Sequence, residues 1–355
     1  MGIRAVRCWS FGMTLLAACC FIAPVLAQEG GRGTGRGSAP NWLANVSALE
    51  YQLVSWPLEA KSAAGFDAGP WNFIQVPSMA VAPNGNVLLL HRGAHPIMEF
   101  EPSGKFVRSW GNGMFSEGKV VNIPPKDRPA NSSRYSVVYG PAACESCGAH
   151  VVRVDPQGNI WLVDAGGHVV YKTDTQGRVL LQLGTKGVSG TDRSHFNLPT
   201  DVAFAPNGDI YISDGYGNAR VVKFSPSGEF LLEFGKRGTG PGEFGLPHNV
   251  QVDAQGKVYV SDRDNQRIQV FDPSGKFLSE WAGTGGISAM LIVKDQSGQE
   301  RIWTSGVLRD LNGKPLGRLN EVHSSVHGGI AVTSSGDVYF GLLNGTAQKF
   351  VKKGQ

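Results

Sequence analysis

Three observations in the sequence predict an all-β chain folded as a six-bladed β-propeller. The first is the stretch from Asp201 to Gly235, DVAFAPNGDIYISDGYGNARVVKFSPSGEFLLEFG, in which four short runs of alternating apolar residues are separated by Pro-Asn-Gly, Gly-Tyr-Gly-Asn and Ser-Pro-Ser-Gly. Period-two alternation broken by such residues is the pattern of antiparallel strands joined by tight turns. The second is recurrence. Copies of the stretch begin at Val81, Val154 and Val252, weaker ones follow Val293 and Val332, and the first-turn glycines align as Gly85, Gly158, Gly208, Gly256, Gly298 and Gly336. The last four spacings lie between 38 and 50 residues, the period of four-stranded propeller blades. The third lies at the ends. The last copy stops after its third strand, near Lys352 and Lys353, while Tyr51 to Trp56 (YQLVSW) precedes the first full copy and can complete that sheet. Such pairing joins the termini and removes an open edge.

In chain order, residues 1–27 carry Arg4 and Arg7, an apolar core with Leu15, Leu16, Phe21 and Ile22, and the ending Val25-Leu26-Ala27. That is the layout of a secretory signal cut after Ala27, and it predicts a secreted or periplasmic protein. A transmembrane anchor and a lipoprotein cysteine at Cys19 are the competing readings. Residues 28–45, containing GGRGTGRGSAP, read as a flexible basic linker unable to bury enough apolar surface to fold. Residues 46–355 are then the propeller. Lysine plus arginine number 33 against 29 acidic residues. So small an excess gives no footing for nucleic acid or an anionic membrane surface, and a monomer without a membrane span is expected. Beyond the signal only Cys144 and Cys147 remain, read first as a local disulfide, with a metal site including His150 as the other reading. The long insertion from Asn112 to Ala143 is either a lid or a plain surface loop.

Strand direction decides which side chains share a site. In an up-and-down meander the start of strand 1 and the loop after strand 2 lie on the same face. His150 and His248 stand eight residues before Gly158 and Gly256, and His327 stands nine before Gly336. These are blades 2, 4 and 6, about 120° apart around a sixfold ring. Three imidazoles so placed would converge on the axis as a zinc site with one coordination position open. His327 needs a local bulge at Gly328-Gly329 to reach it, and His323 is the rival ligand. Loops after strand 2 on that face carry Arg92, Tyr216 and Arg263. A phenol beside a metal can act as a general base, and guanidinium groups match carboxylates through paired hydrogen bonds. Read blandly, Tyr216 caps a turn and Arg263 pairs with Asp262 or Asp264.

The segments LLLHRGAH (88–95), GAHVVRVDPQGNIWLVD (148–164), LPTDVAFAPNGDIYISDGYGNARVVKFSPSG (198–228), LPHNVQVD (246–253) and SDRDNQRIQVF (261–271) resemble peptidyl-α-hydroxyglycine α-amidating lyase, a six-bladed propeller of the NHL-repeat class. The resemblance implies zinc on His150, His248 and His327, catalytic roles for Tyr216 and Arg92, and Arg263 near the substrate. The implied reaction splits the C–N bond of a C-terminal α-hydroxyglycine into a peptide amide and glyoxylate. Three positions depart from the family pattern. Gly328 replaces an acidic residue that helps bind structural calcium, Gly217 stands where animal members have cysteine, and Ala94 replaces the acid of HRGDH. A small-molecule or peptide substrate is therefore expected. A non-catalytic exported propeller binding a peptide or cell-envelope ligand is the reading from another class, and metal-assisted hydrolysis of a lactone or phosphoester is a third.

Overall fold

The computed structural model describes residues 41–56, 73, 75–117, 120–122, 136–138 and 144–354. The expected signal lies outside them, as does the linker up to residue 40. Residues Asn41–Asn45 of the expected linker form a short 3₁₀ helix. Among the described residues no helix is long and apolar enough to cross a membrane.

Six four-stranded antiparallel sheets follow one another along the chain. Blade 1 is Ser78–Val81, Val87–Leu90, Ile97–Phe100 and Phe106–Trp110. Blade 2 is Ala149–Val154, Ile160–Asp164, Val169–Thr173 and Val179–Leu183. Blade 3 is Asp201–Phe204, Ile210–Asp214, Arg220–Phe224 and Phe230–Phe234. Blade 4 is Pro247–Val252, Val258–Asp262, Arg267–Phe271 and Phe277–Ala282. Blade 5 is Met290–Lys294, Glu300–Thr304, Val307–Arg309 and Pro315–Arg318. Blade 6 takes Val326–Val332, Val338–Leu342 and Ala347–Lys352 from the C-terminal end and its outer strand, Tyr51–Val54, from the N-terminal side. Tyr51 pairs with Lys352 and Val54 with Lys349, the closure expected from YQLVSW.

The six aligned glycines explain the repeat. Each ends the tight turn between strands 1 and 2 with φ between +81° and +90°, where a side chain would be strained. Within a blade, burial falls outward. Second strands such as Ile210–Asp214 and Val258–Asp262 are buried at every position, whereas the outermost Phe230–Phe234 alternates between half-buried and exposed. The inner strands are therefore covered on both faces, polar positions included, and the outer ones on one.

No single core holds the molecule. Apolar clusters lie between neighbouring blades, as where Leu88, Leu90 and Ile97 of blade 1 meet Val152, Ile160 and Leu162 of blade 2. Equivalent clusters join blades 2 and 3, 3 and 4, 4 and 5, 5 and 6, and 6 and 1. The innermost strands touch in ring order, so the ring is closed. Within the insertion, Val120–Asn122 pairs with Ser136–Val138. Its stem is fastened to blade 2 by Ser116, whose N–H and hydroxyl donate to Asp164 at 2.8 Å each. The remainder of the insertion, read as either a lid or a plain surface loop, lies outside the described residues.

Candidate functional site

The three histidines meet, and each arrives by the same local device. In blade 2, Ala149 pairs with Asp164 and Val151 with Val163, so His150 is an extra residue in its strand. In blade 4, Pro247 pairs with Asp262 and Asn249 with Ser261, so His248 is extra too. In blade 6 the register slips between Val326 and Ile330, around His327. A bulge re-aims the side chain it carries, here toward the axis. The sequence pointed to a bulge at His327; the two at His150 and His248 escaped it, because a one-residue slip leaves apolar alternation on either side intact.

All three rings are buried, and their candidate ligand atoms lie within 4.8 Å of one another. His150 Nε2 and His327 Nε2 are 3.1 Å apart. His150 Nδ1 lies 2.6 Å from Thr200 O, a pure acceptor, so Nδ1 carries the proton and Nε2 presents its lone pair. His248 Nδ1 lies 3.1 Å from Asn249 Oδ1, with the same consequence. Burial, then the charges of Arg92 and Arg263, push the His150 imidazole down to about 3. His327 is held well below its ordinary value by burial, then by its two neighbouring histidines and the same arginines. Neutral imidazoles with converging lone pairs are what a metal of nitrogen-ligand preference requires, so this set fits one. His323 is exposed and its Nδ1 accepts from the Ser325 N–H at 3.0 Å, away from the cluster.

Tyr216 caps the centre. Its Oη lies 3.1 Å from His150 Nε2, 3.1 Å from His248 Nε2 and 3.3 Å from His327 Nε2. The loop that presents it is tied down by Asp214, which accepts from Asn197 N at 2.8 Å, Asn218 Nδ2 at 2.6 Å and Arg220 Nε at 3.0 Å. Burial pushes that carboxyl up to about 6 against the pull of Arg220. A Cβ at Gly217 would meet the Asn197 side chain at 2.2 Å, so this loop has no room for the cysteine that the family resemblance would place there.

Arg92 and Arg263 flank the phenol and the imidazoles. Arg92 donates from Nε to Ala149 O at 3.1 Å and from Nη1 to Gln75 Oε1. His91 shapes its loop, with Nε2 donating to His95 O at 2.7 Å and Nδ1 accepting from Gly93 N at 3.1 Å. Arg263 stacks over Tyr216, Cζ 5.6 Å from the ring centre, and Nε reaches Asp264 at 3.4 Å. Its Nη2 is buried with no protein partner among the described residues. Asp262 is taken by Arg267 Nε at 2.9 Å instead. Cys144 and Cys147 form a disulfide and pack in one buried cluster with Tyr216, Leu198 and Leu246. Structural calcium, already doubtful in the sequence because Gly328 replaces the family's acidic residue, gains no side-chain ligand at that position. There φ is +59°, and a Cβ would meet Pro77 O at 2.4 Å and His150 O at 2.9 Å.

A family model described as DUF5128, a 6-bladed beta-propeller, matches residues 191–285. Peptidyl-glycine alpha-amidating monooxygenase B of Xenopus laevis is 32% identical over 255 residues, covering 68% of this chain and 27% of that protein. Peptidyl-alpha-hydroxyglycine alpha-amidating lyase 1 of Drosophila melanogaster is 31% identical over 192 residues, covering 50% of this chain and 35% of the fly protein. NHL repeat-containing protein 3 of Mus musculus is 40% identical over 209 residues, covering 56% and 52%. The chain thus spans about a quarter to a half of the length of these relatives. Among solved structures, a streptogramin B lyase superposes with a TM-score of 0.51 at 14% identity, covering 84% of this chain and 97% of that one, a likeness of fold alone. The chain is a six-bladed β-propeller related in sequence to the peptidyl-α-hydroxyglycine α-amidating lyases and to NHL repeat-containing proteins.

Proposed function

We propose that the protein is an exported, zinc-dependent lyase that cleaves a peptidyl-α-hydroxyglycine or a related carbinolamide into an amide and glyoxylate. The observation that carries this reading is the placement of Tyr216 Oη within 3.3 Å of all three histidine Nε2 atoms. Zinc held by His150, His248 and His327 would supply Lewis acidity toward an oxygen. Tyr216 Oη is the proton-handling atom. The substrate hydroxyl gives up its proton there, the C–N bonding pair leaves with the amide nitrogen, and a proton returns to that nitrogen, so amide and aldehyde form without an oxidant. Arg263 Nη2, buried and without a hydrogen-bond partner among the described residues, is suited to a substrate carboxylate. Arg92, fixed by Gln75 and Ala149, keeps positive charge beside the neutral imidazoles and favours an anionic substrate. The apolar N-terminal stretch and the disulfide support export to an oxidising compartment.

Elemental analysis of the purified protein, with His150→Ala and His248→Ala alongside, tests the reading together with glyoxylate release from an α-hydroxyglycine peptide. We expect about one zinc per chain, lost in both variants together with the activity. Absence of metal, or metal indifferent to those two residues, would leave a binding propeller.

A further inference from the structure

Next to the three imidazoles along the innermost strands lies a polar layer to which the reaction above assigns no part. Asn249 follows His248, and both ends of its side-chain amide are committed. Nδ2 donates to Asp201 Oδ2 at 3.1 Å and to Gly328 O at 2.8 Å, while Oδ1 faces His248 Nδ1. A carboxylate and a carbonyl can only accept, so the NH2 end of the amide is fixed on their side. Its oxygen must then accept from His248.

Asp201 is itself anchored. It accepts from Arg153 Nε at 2.9 Å and Nη2 at 2.7 Å, and from the backbone of Val202 at 2.9 Å and Val250 at 3.2 Å. Arg153 Nη2 also donates to Met290 O at 3.1 Å. Arg153, Asp201 and Asn249 are all buried. The relay therefore runs from blade 2 through blades 3 and 4, with branches to Met290 of blade 5 and Gly328 of blade 6. A buried amide that is satisfied at every end has one orientation, and so does the ring it holds.

We propose that Asn249, backed by Asp201 and Arg153, is a positioning residue for the histidine centre. It sets the tautomer and ring plane of His248 and, through Gly328 O, pins the bulge that carries His327. The inference rests on the reading that the three histidines hold a metal. Groups hydrogen-bonded behind ligating histidines typically govern metal affinity by about 10- to 100-fold.

The test is zinc affinity, measured by competition with a chromophoric chelator, and the visible absorption of the cobalt-substituted protein, in wild type, Asn249→Leu and Asn249→Ser. We expect zinc binding weaker by about 10- to 100-fold in both variants. The cobalt spectrum should change, with thermal unfolding of the metal-free protein much less affected. Asn249→Ser puts no apolar group against Asp201, so it decides the matter if the leucine protein does not fold. Zinc affinity within twofold of wild type, with an unchanged cobalt spectrum, would overturn the positioning role. If wild type itself takes up no zinc, the metal reading fails and the inference falls with it, a result plainly different from the first.

Discussion

Alternate blades of this propeller differ in how their first two strands pair. In blades 1, 3 and 5 the pairing runs without interruption, Ser78 to Leu90, Asp201 to Ser213 and Met290 to Thr304 each opening an unbroken ladder. In blades 2, 4 and 6 the ladder slips at His150, His248 and around His327. The regular blades contribute to the centre through loops instead, Arg92 from blade 1 and Tyr216 from blade 3. The difference separates frame from chemistry. Regular ladders set where the axis is, and the interruptions decide what points at it.

That division is broken most directly at Tyr216. If the irregular blades hold the metal and the regular ones handle protons, Tyr216→Phe keeps zinc at wild-type stoichiometry and lowers glyoxylate release by about 10²- to 10⁴-fold. Loss of zinc in that variant would show the phenol to be part of the metal-holding set. The two kinds of blade would then not divide the work.

A smaller effect separates the bulge in blade 6 from an ordinary blade turn. Gly328 and Gly298 both have positive φ, +59° and +81°. A Cβ at Gly298 meets nothing within 4 Å, whereas one at Gly328 would press on two backbone carbonyls. Gly298→Ala should cost about 1–2 kcal/mol, the conformational penalty alone. Gly328→Ala should cost more, about 3 kcal/mol, since backbone must move as well. Denaturant unfolding of the metal-free proteins measures both. Equal losses would mean that the bulge is no more constrained than a surface turn.

The fold was legible because it is repeated. Six glycines at one register, each with φ near +85°, mark six identical turns, and strand alternation fills the rest. The site was half legible. His150 and His248 share a spacing from their glycines, and Tyr216 and Arg92 lie in loops that the meander must bring to the same face. The relay through Arg153, Asp201 and Asn249 was not legible. Asp201 reads in sequence as the polar start of a strand, and Asn249 as one more alternating polar residue. Only closing the ring brings them to one point, and no local pattern records which residues face one another across an axis. Arg263 read in sequence either as a substrate contact or as a partner of Asp262 or Asp264; the fold gives Asp262 to Arg267, keeps Asp264 3.4 Å from Arg263 Nε and stacks the guanidinium over Tyr216.

A pH-dependent effect concerns the loop that a regular blade lends to the site. His91 is fully buried beside Arg92, and it uses one proton to satisfy two bonds, donating to His95 O and accepting from Gly93 N. Burial is the main cause that pushes it down to about 4 from its ordinary 6.5. Between those two values the unfolded chain binds a proton at this position and the folded chain does not. Stability contributed here is therefore intact above pH 6.5 and is lost as the pH falls toward 4, by up to about 1.4 kcal/mol per unit. His91→Gln keeps a donor and an acceptor but cannot titrate. Unfolding free energies of wild type and variant, followed from pH 7 to pH 4.5, should converge as the pH falls, because wild type alone carries this slope. Parallel curves would mean that His91 takes up its proton as readily in the fold as in the unfolded chain, so that by pH 4.5 the folded ring is cationic. Its Nδ1 would then be a donor, the Gly93 bond would be absent, and the Arg92 loop would be held by something other than this ring.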